Sequence, residues 1–240
     1  SGGLTALAGA NELVIDGSSF KSEINSAIWN NVNADVQSVN NTLVFPDEGS
    51  SETRLISKSV IESSDNEPMK ALYTMQINRI PSDKKYVVAF GLNGIEAMPG
   101  EAGNIQIEFS NTGSLAVGVD VFAEDGAKKT VVKPATDFSG IKFGSHFSLE
   151  VTITGSHLTV KINGKELCSK QDVGFSGDGR TGLLQTGGCG VVVSSLKISW
   201  QEYDSPQNSN IDINFNEGYF NANLIKFNTL GYNQTIFPMG

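Results

Sequence analysis

Between residues 147 and 200 apolar and polar side chains alternate with a period of two, and no other feature of the chain restricts its fold as tightly. Phe147, Leu149, Val151 and Ile153 are interleaved with Ser148, Glu150 and Thr152; Leu158, Val160 and Ile162 are interleaved with Thr159 and Lys161. This period belongs to a strand with one face in a core and the other in water, whereas a helix repeats at about 3.6 residues. Asn163-Gly164 follows at once, and Asn-Gly supplies the positive φ at both central positions that a type I′ hairpin turn needs. Beyond Lys165 and Leu167 comes a loop rich in glycine (Gly174, Gly177, Gly179), then Thr181 to Leu184, then a last alternating run through Val191, Val193, Leu196, Ile198 and Trp200. The stretch reads as a β-meander.

The rest of the chain follows the same rule. A first strand is expected over 12–15, ending in an Asp16-Gly17 turn, with a short helical turn within 20–29 and a hairpin over 36–45 around Asn40-Asn41. Over 69–80, Ala71, Tyr73, Met75 and Ile77 share one face and Leu72, Thr74 and Gln76 the other. The run 86–92 is apolar on both faces, as in a central strand covered on both sides. Strands are expected over 105–109, with a turn at 111–113, and over 115–122, with a turn at 124–126 and a return through 130–132. Short strands with turn signals about every 8–12 residues and hardly a helical period predict an all-β, antiparallel two-sheet sandwich.

Composition bounds the partners. With 39% hydrophobic residues in 240 the chain can bury a sizeable core, and no apolar run is long enough to insert in a membrane. A net charge of −9, with no basic patch, argues against nucleic acid and anionic lipid. Residues 1–11, opening Ser1-Gly2-Gly3, read as a cloning remnant or linker, and 12–203 as one domain. The polar, proline-containing stretch 204–210 reads as a linker, and 204–240 as a C-terminal β extension or the start of a further module in a longer chain. A surface rich in Ser, Asn and Thr suits a secreted or cell-surface protein. Cys168 and Cys189 flank the glycine-rich loop, so a hairpin can bring them together; a disulfide is expected, worth about 3 kcal/mol, with two buried free thiols as the alternative.

The order of these strands, above all Leu158, Val160, Ile162, Asn163-Gly164, then the glycine-rich loop, Gly182-Leu183, and the closing Leu196 and Ile198, resembles the concanavalin A-like lectin/glucanase superfamily. The resemblance covers about residues 12–203. It implies a jelly roll of two curved sheets, an oligo- or polysaccharide on the concave face or loop rim, and often a structural calcium.

Members of that superfamily that hydrolyse β-glucans carry Glu-x-Asp-x-x-Glu on one strand, which aims the acids into one cleft. This chain lacks it: Glu202 and Asp204 are followed by Pro206 and then Gln207. What remains is dispersed. With Ile105, Ile107 and Phe109 in the core, Gln106 and Glu108 face outward, as do Asp120 and Phe122 opposite Val119 and Val121. Were their strands neighbours, Gln76, Glu108, Asp120 and Phe122 would line one groove, offering carboxylates and an amide to sugar hydroxyls and a ring to sugar C–H groups. The competing reading makes them ordinary solvated residues of an exposed face. Trp29 and Trp200, at strand ends among apolar neighbours, read as core or rim packing. Calcium-loop spacing is absent, and Asp16, Asp125 and Asp178 sit in glycine-containing turns that favour Asp for backbone reasons. The expectation is therefore a non-catalytic, lectin-like carbohydrate-binding module, with a glycoside hydrolase whose carboxylates come from different strands, or a laminin-G-like spacer, as alternatives.

Overall fold

A computed structural model of the chain describes residues 10–15, 24, 26–33, 35–94, 104–122, 129–138 and 140–201. Among them are fifteen strands and no helix. They are β1 (Ala10–Ile15), β2 (Trp29–Val32), β3 (Gln37–Val39), β4 (Thr42–Val44), β5 (Thr53–Ser57), β6 (Met69–Ile77), β7 (Tyr86–Leu92), β8 (Ile105–Asn111), β9 (Leu115–Phe122), β10 (Lys129–Asp137), β11 (His146–Thr154), β12 (His157–Ile162), β13 (Lys165–Asp172), β14 (Arg180–Gln185) and β15 (Val191–Gln201). The turns expected at 16–17 and 124–126 and the whole segment 204–240 lie outside the described residues, as does most of the helical turn expected within 20–29, where 26–28 form a simple turn.

The strands form two antiparallel sheets packed as a jelly-roll sandwich. The eight-stranded sheet runs β13-β12-β11-β6-β15, and the far edge of β15 is shared by β4, which continues to β3, and by β1. The seven-stranded sheet runs β10-β9-β8-β7-β14-β5-β2. Alternation dictates each register: Met69, Ala71, Tyr73, Met75 and Ile77 of β6 are all buried, while Lys70 and Leu72 between them are exposed. The hairpin turns form where the sequence supplies them, with positive φ at Asn40 and Asn41 and at Asn163 and Gly164.

The C-terminal stretch is not the single meander its alternation suggests. β11, β12 and β13 are neighbours, but the chain then crosses to the other sheet, inserts β14 between β7 and β5, and returns as β15 beside β6. A period of two is the same in either sheet, so alternation cannot announce the crossing. Glycine permits the crossing: Gly174, Gly177 and Gly179 all have positive φ, and a Cβ on Gly179 would stand 2.7 Å from the carbonyl carbon of Gly91 in β7.

The core fills the space between the sheets. Phe109 of β8 meets Phe147 of β11 at 5.5 Å between ring centroids, and Phe45 stands edge-on to Tyr86 of β7 at 5.1 Å. Tyr73 of β6 hydrogen-bonds through its hydroxyl with Thr181 of β14, whose own hydroxyl donates to the Ala89 carbonyl at 2.8 Å, so one polar link joins the sheets through the apolar layer. Trp29 and Trp200 are buried, the packing role expected of them.

The expected disulfide is absent; Cys168 and Cys189 are free thiols. Because the chain crosses between sheets, the two cysteines never face each other in a hairpin. Cys168 sits opposite Val160 on β13, at the edge of the eight-stranded sheet, with Lys133 and Glu166 as its charged neighbours. Cys189 lies beyond β14, its N–H donating to the Pro46 carbonyl and its charged neighbours being Arg79 and Lys84.

Candidate functional site

The outer face of the seven-stranded sheet is where strand register collects polar groups. One cross-strand row reads Ile56, Gly182, Ala89, Gln106, Asp120, and the next Arg54, Leu184, Val87, Glu108, Gly118. Ile56, Val87, Ala89, Leu92 and Leu184 form a buried apolar cluster of their own, separate from the main core. This explains why β7 is apolar on both faces. β8 and β9 supply the polar half.

Along β8 and the residue before it, Asn104, Gln106 and Glu108 occupy alternate positions and share this face. The Gln106 amide donates to Asn104 Oδ1 at 2.6 Å, and the Asn104 carbonyl accepts the Phe122 N–H at 2.8 Å. Glu108 and Asp120 hydrogen-bond each other through their carboxyls, and Lys85 Nζ donates to Glu108 Oε1 at 3.3 Å. The Glu108 side chain is only 16% exposed. Burial holds its carboxyl above the usual range; the Lys85 ammonium opposes this, and Asp120 adds to it by charge and by hydrogen bond. On the far side Gly118 is packed under β10: a Cβ there would come within 2.8 Å of the Lys133 carbonyl oxygen.

Of the four residues expected to line one groove, three are brought together. Glu108, Asp120 and Phe122 share this face on adjacent strands, Asp120 buried and the other two half-buried. Gln76 is not among them. It lies on β6, in the other sheet, facing away from the core, and its amide donates to Asn78 Oδ1 at 2.6 Å. Parity sets the face each residue takes on its strand, but not which sheet the strand joins. Asn104 and Lys85 escaped the sequence reading, although extending the β8 alternation one step toward the N-terminus points to Asn104.

The structural calcium implied by the resemblance does not fit this row. Its oxygens are committed to one another and to Lys85, whose ammonium already stands at Glu108, and among the described residues no three His, Cys, Asp or Glu side chains gather as a metal site would need.

No family model matches the sequence, and no curated protein matches it. Solved structures do. The carbohydrate recognition domain of Emp47p superposes with a TM-score of 0.60 at 13% identity, covering 82% of this chain and 97% of that one. The carbohydrate-binding module CBM66 from Bacillus subtilis gives 0.52 at 12% identity, over 70% of this chain and 94% of that one. An endo-1,3-β-glucanase from Streptomyces sioyaensis gives 0.54 at 8% identity, over 84% of this chain and all of that one. At these identities the likeness is one of fold, and the fold is the concanavalin A-like jelly roll.

Proposed function

We propose that the protein is a non-catalytic carbohydrate-binding module whose glycan site lies on the outer face of the seven-stranded sheet, at Glu108, Asp120 and Phe122. The observation that carries this reading is the hydrogen-bonded pair of Glu108 and Asp120 beside the Asn104 and Gln106 amides and the half-buried Phe122 ring. Glu108 and Phe122, half-buried, offer a carboxyl to sugar hydroxyls and a ring to the apolar face of a pyranose, while the buried Asp120, Gln106 and Asn104 hold them in place. The fold is shared with a carbohydrate recognition domain and a carbohydrate-binding module, which supports a glycan as the ligand.

The same pair speaks against hydrolysis. Retaining glycosidases hold their carboxyls about 5–5.5 Å apart and inverting ones about 6.5–9.5 Å, leaving room for the anomeric carbon or a water. The direct hydrogen bond between Glu108 and Asp120 favours a binding role over either arrangement. The linker-like sequence of 204–210 supports a place in a longer secreted or surface chain.

The experiment is a glycan array probed with the wild type and with Asp120→Asn and Phe122→Ala, paired with a reducing-sugar assay on β-glucans. Binding to a related set of sugars that both substitutions abolish, without sugar release, is the expected result. Sugar release by the wild type that Asp120→Asn abolishes, or an array signal indifferent to both substitutions, overturns it.

A further inference from the structure

On the opposite side of the molecule, the outer face of the eight-stranded sheet holds an open groove of about 340 Å³. Its floor is Thr152 of β11 and Thr159 of β12, direct cross-strand partners and both half-buried. Short hydroxylated side chains at the centre, ringed by longer charged ones, are what hollows a sheet face that would otherwise be flat. One side of the ring is basic, with Lys161 from β12 and Lys170 from β13; the other is acidic, with Glu150 from β11 and Asp65 from the loop before β6.

Two features set this groove apart from a solvated sheet surface. Lys170 has φ of +50°, a left-handed conformation costly for a side chain with a Cβ, and its N–H donates to Thr159 Oγ1 at 2.9 Å where the β12–β13 register shifts. The irregularity brings the Lys170 side chain into the groove lining. Moreover, Glu150 and Lys161 are directly opposed in register, yet neither they nor Asp65 and Lys170 form a salt bridge with any described residue. Asp65, Glu150 and Lys170 are exposed and Lys161 half-exposed, so the charges on both sides stand open to a ligand.

We infer that this groove is a second ligand site, independent of the first, and that it takes an acidic saccharide of the uronic-acid class. The ligand carboxylate lies against Lys161 and Lys170, and its ring hydroxyls donate to Glu150 and Asp65 and exchange hydrogen bonds with Thr152 and Thr159. A bare anion leaves the acidic wall facing it unfavourably, and a neutral sugar leaves two ammonium groups without a counter-charge. The volume lies at the small end of ligand pockets, which suits one or two sugar rings.

The test is a titration of the isotopically labelled protein with galacturonic acid, galactose and acetate in turn, followed by amide chemical shifts. Galacturonic acid is expected to give saturable shifts around Thr152, Thr159 and Lys170, with galactose and acetate each binding about tenfold more weakly. Lys161→Gln and Lys170→Gln, both surface substitutions that leave the core untouched, should each weaken galacturonic acid about tenfold. Equal binding of galactose or acetate, or full affinity in both lysine variants, overturns the proposal. So do shifts confined to β8 and β9, an outcome that leaves the first site standing.

Discussion

Glu108 and Asp120 hydrogen-bond each other diagonally across β8 and β9: Glu108 is in register with Gly118 and Asp120 with Gln106, so the pair spans two rows of the sheet. Gly118, in register with Glu108, is required by packing: a Cβ there would strike the β10 backbone at Lys133 and Ala135. Burial, aided by the Asp120 carboxyl and opposed by the Lys85 ammonium, lets Glu108 hold its proton to a higher pH than an exposed glutamate does.

That proton links stability to pH. Glu108 has a raised folded-state pKa, so in the window above 4.5 the folded protein binds more protons than the unfolded chain. Its contribution to stability is full below 4.5 and is lost as pH rises through the raised value. Glu108→Gln keeps a donor for Asp120 but cannot ionise. Thermal denaturation across this window should therefore show a smaller decline in Tm with rising pH for the variant than for the wild type. Parallel curves would mean that Glu108 titrates as it does in the unfolded chain.

Gly179 and Gly49 both have positive φ, but only Gly179 lies against backbone, within 2.7 Å of Gly91 were it given a Cβ; Gly49 has nothing within 4 Å. Gly49→Ala should cost about 1 kcal/mol, the backbone penalty alone. Gly179→Ala should cost about 3 kcal/mol or more, because β14 must also move away from β7. Urea denaturation compares them, and equal losses would place the strain in φ rather than in the crossing.

The two thiols should behave as separate groups. Burial pushes the Cys189 thiol up to about 11 against the opposing charges of Arg79 and Lys84, and burial also raises Cys168. At pH 8 Cys189 should resist alkylation in the native state and react fully in denaturant, both thiols should be titratable without prior reduction, and reductant should leave Tm unchanged. A mass corresponding to a single bridged species would refute this.

Thr181 joins β14 to β6 through Tyr73 and to β7 through the Ala89 carbonyl. Thr181→Val preserves shape and removes both bonds, leaving buried polar groups unsatisfied, so a loss of about 1–3 kcal/mol is expected in chemical denaturation. A loss below that range would show that the tyrosine hydroxyl finds another partner.

Much of this was legible in the chain. Strand positions, the faces of β6, β8 and β9, and the two Asn-containing hairpins all follow from local rules, because alternation and turn chemistry act over a few residues. Sheet membership does not, because it depends on where the chain crosses. Gln76 was read on the correct face of β6 but in the wrong company, and Cys168 and Cys189 were paired across a loop that separates two sheets. Lys85, the residue before β7, reaches Glu108 only because the β7–β8 register sets the two strands side by side.

The crossing also dictates when the molecule can become itself. β14 and β15, the last two strands described, lie in the interior of their sheets, and β15 alone joins β6 to β4 and to the first strand, β1. As the chain leaves the ribosome, the seven-stranded sheet cannot close until residue 185 is free and the eight-stranded one until residue 201, and each closes around the strand of its own that arrives last. Contacts so distant in sequence make for slow folding. Until β14 and β15 have emerged, the nascent chain must carry two half-sheets with open edges.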